Sequence, residues 1–363
     1  MKICIVTGGT GGHIYPALAL AQVWNEQDPS LSVSFIGNDN RMEADLVPSM
    51  GYDFYPLHTA GLAGSVLDKA RAVLLMLKAK KQAKKLLEKL QPDAVIGFGG
   101  YVSAPVLLAA EKLHIPVIMH EQNSIAGKAN KLAMNGADAI VTCYEKVSES
   151  MPKNKIQLLG NPRATLAARA EPDEEYFASL GLKPDKKTIL VVMGSLGSGS
   201  VNELMKEALK NLDPSLQVLY VCGKDNDQDL NLFPGQPDIH TVPYADTMKL
   251  YGKLDGMICR AGATTLAELT ALGIPAILIP SPYVANNHQY YNAKILVDRH
   301  AAEMIEEKDL NPETLKKAIS SAFLNEHKRR ELAANARAMG KPDAAYDMIR
   351  LIQSVIDKKQ AGR

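Results

Sequence analysis

His13 and Glu268 are the side chains of this 363-residue chain whose surroundings point most directly to chemistry. His13 closes a glycine loop, Thr7-Gly8-Gly9-Thr10-Gly11-Gly12-His13, that follows the apolar run Ile3–Val6 and precedes a helical run from Ile14. An imidazole with an ordinary pKa of about 6.5 can serve as a general base, and the positive end of a helix favours the neutral form a base requires. A histidine that only closes the turn or orients a phosphate fits the same position. Glu268 belongs to Cys259-Arg260-Ala261-Gly262-Ala263-Thr264-Thr265-Leu266-Ala267-Glu268. A strand ends at Cys259, Gly262 turns the chain, and Thr264 or Thr265 is expected to cap a helix. A carboxylate one turn inside that helix can accept two hydrogen bonds, which matches the vicinal hydroxyls of a ribose. The competing reading is a helix-start acid stabilised by the dipole.

The glycine loop has a counterpart. Thr188–Val192 reads as a strand, Met193-Gly194-Ser195-Leu196-Gly197-Ser198-Gly199-Ser200 as a loop, and a helical run follows. A strand feeding a glycine loop and a helix N-terminus is an anion site, because backbone N–H groups and the helix dipole point at the ligand. The first loop is not followed by the Lys-Ser/Thr of a P-loop. It is also a poor dinucleotide fingerprint, since Ile14 stands where a third glycine belongs and Gly37-Asn38 where an acid would meet a ribose. Polar groups gather after other strands too: Gly97-Phe98-Gly99-Gly100-Tyr101, His120-Glu121-Gln122-Asn123, and the amide-rich Asn286-Asn287-His288-Gln289-Tyr290-Tyr291-Asn292. No metal signature appears. Asp225–Asp229 resembles a calcium loop but lacks its glycine and its final glutamate, and reads as a solvated loop.

These residues need a scaffold. Strand candidates at 3–6, 32–36, 94–98, 115–119 and 139–142, then 188–193, 216–222, 239–242, 256–259 and 275–279, alternate with helical stretches such as 14–27, 103–113, 200–211 and 264–272. Continuous β-branched runs interleaved with helices predict an α/β protein with two Rossmann-like, doubly wound domains facing across a cleft. The expected division is 1–163, 164–340, and a C-terminal helix within 341–363 that packs back on the first domain, with a linker near 161–167. A net charge of +1 gives no global field for nucleic acid. Cys4, Cys143, Cys222 and Cys259 are scattered with no CxxC pair, and Cys4, Cys222 and Cys259, in apolar strand-like runs, read as reduced and buried. No signal peptide or bilayer-spanning run is evident, so a cytoplasmic protein is expected.

Residues 66–90 could still bring the chain to a membrane. Val73, Leu74, Leu75, Met76 and Leu77 adjoin a basic run in which Lys69, Arg71, Lys78, Lys80, Lys81, Lys84, Lys85 and Lys89 face one acid, Glu88. A basic helix beside exposed apolar residues can lie on anionic headgroups; an ordinary amphipathic helix is the alternative.

In order along the chain, Gly8–His13 with Pro16-Ala17, Gly97–Tyr101, His120–Asn123, Gly160-Asn161-Pro162-Arg163, Gly194-Ser195-x-Gly197-Ser198, Arg260-x-Gly262-Ala263-Thr264-Thr265-x-x-Glu268 and Gln289-x-x-Asn292-Ala293 closely resemble the bacterial UDP-N-acetylglucosamine:lipid I N-acetylglucosaminyltransferases (MurG family) of peptidoglycan synthesis. The resemblance implies a GT-B fold. It implies inverting transfer of N-acetylglucosamine from UDP-GlcNAc to the C4 hydroxyl of the MurNAc-pentapeptide of lipid I, an undecaprenyl-diphosphate-linked acceptor, with no cofactor or metal. The first domain then faces acceptor and membrane, and the second binds the UDP-sugar. Carried over by motif, Ser195 meets the UDP phosphates, Glu268 the ribose, and Arg163 and the backbone near Ala245 the uracil. The run Ala263-Thr264-Thr265-Leu266-Ala267 lines the donor site. Gln289 and Asn292 contact the donor sugar, with Asn123 approaching from the first domain. Thr10, Gly11 and Gly12 lie near the acceptor diphosphate, His13 is the candidate base, and Val73, Leu74, Leu75, Leu77, Lys78 and Lys81 meet an anionic membrane surface. The implied location is the cytoplasmic face of the cell membrane, peripherally. Leu196 departs from the family, which often has Gln there. A UDP-sugar 2-epimerase of the same fold and a non-catalytic nucleotide-sugar-binding subunit are the alternatives.

Overall fold

The computed structural model describes residues 1–61, 65–193, 199–223 and 230–362. The chain divides into two compact units, Met1–Leu166 with Asp343–Arg363, and Ala167–Pro342. In the first, β1 (Lys2–Val6), α1 (Gly11–Gln27), β2 (Ser32–Asn38), α2 (Met42–Ser49), β3 (Asp53–Leu57), α3 (Val66–Leu90), β4 (Ala94–Gly97), α4 (Ser103–Lys112), β5 (Val117–Glu121), α5 (Lys128–Ala133), β6 (Ala139–Thr142) and β7 (Ile156–Leu158) alternate. The strands form a parallel sheet in the order β3-β2-β1-β4-β5-β6-β7. Because side chains alternate across a strand, Ile3 and Ile5 join one core with Leu20 and Trp24 of α1, while Cys4 and Val6 join another with Leu87 of α3 and Val106 of α4. Helix α6 (Arg163–Arg169) spans the boundary, so most of the segment read as a linker is helical.

The second unit repeats the plan. It holds α7 (Glu174–Ser179), β8 (Lys187–Val192), α8 (Gly199–Ala208), β9 (Leu216–Val221), β10 (Ile239–Val242), β11 (Gly256–Cys259), α9 (Ala263–Leu272), β12 (Ala276–Leu278), α10 (His288–Val297), β13 (Glu303–Met304), α11 (Pro312–Ile319) and α12 (Glu326–Met339). Its parallel sheet runs β10-β9-β8-β11-β12-β13, the same doubly wound order. The chain then returns to the first unit through α13 (Ala344–Ala361). Ala345, Met348, Ile352 and Ile356, spaced three and four apart, bury against the α1 side of the sheet. The Thr165 hydroxyl accepts from the Ala345 N–H at 2.9 Å, and Lys359 pairs with Asp138 at 2.8 Å.

Two displaced boundaries bear on the site. Helix α1 begins at Gly11 rather than Ile14, so His13 lies in its first turn. Strand β5 starts after Pro116, which has no N–H for a ladder, and continues through His120 and Glu121. Those two residues are therefore strand residues, not part of the loop that follows.

Candidate functional site

In a doubly wound sheet the ligand crevice lies beyond the strand C-termini, where the strand order reverses. In the first unit that point is between β1 and β4, where Val6 pairs with both Ile36 and Gly97. The loop leaving β1 carries Thr10 as the extended residue before α1, with no side-chain cap. The Thr10 hydroxyl instead lies 3.3 Å from His13 Nδ1, and the His13 N–H donates to the Thr10 carbonyl at 3.0 Å. Thr10, Gly11, Gly12 and His13 thus form one helix onset.

The glycines of the loop leaving β4 have a packing role in the structure. That loop backs the first. Gly99 has φ +108°, and a Cβ there would come within 2.6 Å of His13 Cδ2; Gly100 has φ +84°, and its Cβ would collide with the Gly8 carbonyl. A third element braces the loop from below. Glu43, in the first turn of α2 and fully buried, accepts from the Gly9 N–H through both oxygens (3.3 and 3.2 Å) and from the Asn38 N–H at 3.0 Å. Nothing in the spacing of Glu43 relative to Gly9 announces this; it follows from the adjacency of β1 and β2.

At the end of β5 the buried Glu121 carboxylate accepts from the N–H groups of Asn123 (3.0 Å) and Gly127 (2.8 Å) and from the Asn130 amide (2.9 Å), fixing the loop that holds Asn123. Burial pushes the Glu121 pKa up, against these hydrogen bonds. His120 is fully buried. It contacts the Gly160 carbonyl through Nε2 (3.0 Å) and the Gln122 side chain through Nδ1 (3.3 Å), and burial holds its imidazole down at about 4. Arg163 belongs to the first unit, its guanidinium 5.6 Å over the ring of Tyr15 in α1 and its N–H donating to Asn161 at 3.0 Å.

In the second unit the corresponding point lies between β8 and β11. Ser195 and Leu196 fall outside the described residues, as does Asp225–Asp229. The other wall is α9. Gly262, not Thr264 or Thr265, is its N-cap, without a side-chain cap, so its first turn starts at Ala263. The first N–H groups of an α-helix have no intrahelical partner, which suits this turn to an anion. Thr264, Thr265 and Ala267 are half-buried, while Ala263, Leu266 and Glu268 point inward. Glu268 is 5% exposed and accepts a 2.6 Å hydrogen bond from the phenol of Tyr251, itself buried and not singled out by the sequence. Asn292 is fully buried and donates to the Ala261 carbonyl at 3.3 Å, supporting the turn before α9. Gln289 accepts from the Ser281 N–H at 2.9 Å, bracing the loop between β12 and α10. Arg260 donates to the Ile279 carbonyl (3.1 Å) and pairs with Glu307 at 2.6 Å. These residues cluster around the ends of β11 and β12. Ala245 follows β10, on the same edge of the sheet but three strands from β11.

Helix α3 starts with a reciprocal cap between Ser65 and Asp68. Ala72, Ala79, Ala83 and Leu87 form its buried face. The outer face shows Val73, Leu74 (67% exposed), Leu77 (56%), Lys78 and Lys81, with Leu75 half-buried. No helix among the described residues is long and apolar enough to cross a membrane.

Two α/β units of the same doubly wound strand order define a two-domain α/β architecture. Residues 3–142 match the glycosyltransferase family 28 N-terminal domain and residues 188–348 its C-terminal domain. The chain is 40% identical to the UDP-N-acetylglucosamine–N-acetylmuramyl-(pentapeptide) pyrophosphoryl-undecaprenol N-acetylglucosamine transferase of Leuconostoc citreum, over 99% of this chain and 100% of that one. The crystal structure of Acinetobacter baumannii MurG superposes with a TM-score of 0.78 at 30% identity, covering 97% of this chain and 99% of that one. A putative UDP-N-acetylglucosamine 2-epimerase from Listeria monocytogenes reaches a TM-score of 0.72 at 14% identity over 98% and 97% of the two chains, a likeness of fold alone. The chain belongs to the family of these N-acetylglucosamine transferases, within the GT-B fold.

Proposed function

We propose that the chain transfers N-acetylglucosamine from UDP-N-acetylglucosamine to the C4 hydroxyl of lipid I, the undecaprenyl-diphosphate-linked MurNAc-pentapeptide, forming lipid II with inversion at the anomeric carbon. The full-length likeness to transferases named for this reaction carries the reading, and the epimerases share only the fold. The acceptor oxygen attacks the sugar's C1 as the bond from C1 to the β-phosphate oxygen breaks. UDP leaves with that electron pair, and the hydroxyl proton passes to His13. The Thr10 hydroxyl, 3.3 Å from Nδ1, orients the imidazole for that step.

The helix onset at Thr10–Gly12 holds the acceptor diphosphate. The α9 onset with Ser195 holds the UDP diphosphate, and Glu268, oriented by Tyr251, takes the ribose. Gln289 meets the donor sugar. Asn292 serves through the Ala261 backbone, and Asn123 reaches the sugar from the loop Glu121 fixes. Arg163 and Ala245 border the uracil. The outer face of α3 rests on anionic lipid at the cytoplasmic face of the membrane, its exposed leucines in the headgroup layer and Lys78 and Lys81 over phosphates. Incubation with UDP-GlcNAc and a short-chain lipid I analogue tests the reaction. UDP release that depends on the acceptor is expected; UDP-GlcNAc converted to its 2-epimer, or no acceptor-dependent release, overturns the reading.

A further inference from the structure

We infer that Glu43 is a positioning residue of the acceptor site: its carboxylate fixes the orientation of the Gly8–Gly9 peptide and thereby aims the helix onset that carries Thr10 to His13. The N–H and carbonyl of a trans peptide point in opposite directions. The Gly9 N–H points down at both Glu43 oxygens. The carbonyl of the same peptide, that of Gly8, packs against Gly100, whose missing side chain makes the contact possible. This one peptide plane is therefore gripped from both sides, by a carboxylate and by a backbone.

The grip is built into the fold. Gly37 at the end of β2 has no side chain, and a Cβ there would come within 2.7 Å of Glu43 Cγ; a Cβ on Gly8 would strike the Glu43 carboxylate. Glu43 also takes the Asn38 N–H, tying the β2 end to the β1 loop. Its place in the first turn of α2 puts the carboxylate at that helix's positive end. A wholly enclosed carboxylate whose hydrogen-bond partners among the described residues are backbone N–H groups has no reach to a substrate, so it acts through the loop. If the peptide flipped, its carbonyl would face the carboxylate, which repels it. The unflipped form leaves Gly9 at φ +94°, the turn that delivers Thr10 to the start of α1.

Glutamine at this position has nearly the same shape. It replaces one acceptor oxygen with an NH2 group, which opposes the two N–H donors and would welcome a flipped Gly8 carbonyl. The inference rests on the reading of the Thr10–His13 onset as the acceptor site. The test measures both Michaelis constants for wild type, Glu43→Gln and Glu43→Asp, as full chains, with UDP-GlcNAc and the short-chain lipid I analogue. Glu43→Gln is expected to raise the acceptor KM at least ten-fold and leave the UDP-GlcNAc KM within two-fold. Glu43→Asp, with the charge kept and the reach shortened, is expected to fall between. An unchanged acceptor KM overturns the inference, and so do two constants that rise together, which would mark a merely structural residue. If Glu43→Gln does not fold, the same split in Glu43→Asp decides. Failure of the wild type to release UDP with acceptor would instead strike the proposed reaction, while an active wild type with an unaltered variant strikes this inference alone.

Discussion

Glu43 in the first unit and Glu268 in the second are both buried carboxylates beside a strand-to-helix connection, yet they meet different partners. Glu43 accepts backbone N–H groups from the ends of two strands. Glu268 sits in α9, as Glu43 sits in α2, but accepts a phenol hydroxyl from Tyr251. The first arrangement fixes a backbone, and the side chain beside it that is proposed as the base is His13, flanked by Thr10 and Gly99. The second holds in place a carboxylate proposed to take the ribose. On the proposed roles, one unit is organised around where a proton goes, the other around what is bound. Duplicated topology supplied two equivalent strand-to-helix connections, and the proposed function gives each a different task.

The sharpest way to break that contrast is to remove the imidazole. His13→Ala is expected to lower kcat by about 10²- to 10⁴-fold, the usual span for a general acid–base group. A kcat within a few-fold of wild type would move the base elsewhere.

A smaller effect separates the units by acid. His120 supports the first unit's site from inside β5, and its pKa is depressed to about 4. The unfolded chain, near 6.5, therefore binds the proton first as pH falls. Stability from the neutral buried form is present above about 6.5 and is lost as pH drops toward 4, at about 1.4 kcal/mol per pH unit. Trp24, the only tryptophan, is buried in the first unit and reports its unfolding. Between pH 7 and 5, urea unfolding followed at Trp24 should lose about 2 kcal/mol more in wild type than in His120→Gln. Equal losses would show that His120 titrates normally.

Much of this was legible in the sequence. The apolar runs at Ile3–Val6 and Thr188–Val192 are central strands covered on both faces, so their pattern is strong. The three strands that the pattern misses, β3, β7 and β13, are all sheet edges. Asp53-Phe54-Tyr55-Pro56-Leu57 contains a proline, which an edge tolerates, and β13 is only two residues long. The motif residues Thr10–His13 and Ala263–Glu268 could be located because they adjoin glycines at strand ends. Their braces could not. Glu43 lies 34 residues from Gly9 and Tyr251 lies 17 from Glu268, contacts set by the neighbours of β1 and β11 rather than by any local period. The glycines of Gly97–Tyr101 marked a loop where a Cβ is unwelcome, and only the fold shows that Gly8 and His13 pack there.

The division of labour between the units is tested most directly by titrating UDP into the wild type, Glu268→Gln and His13→Ala in a calorimeter. The expected result is a Kd raised about ten-fold by Glu268→Gln, the scale of one charge-assisted hydrogen bond, and unchanged within two-fold by His13→Ala. A His13→Ala variant that loses UDP as strongly as Glu268→Gln would contradict the assignment of the two loops to different diphosphates.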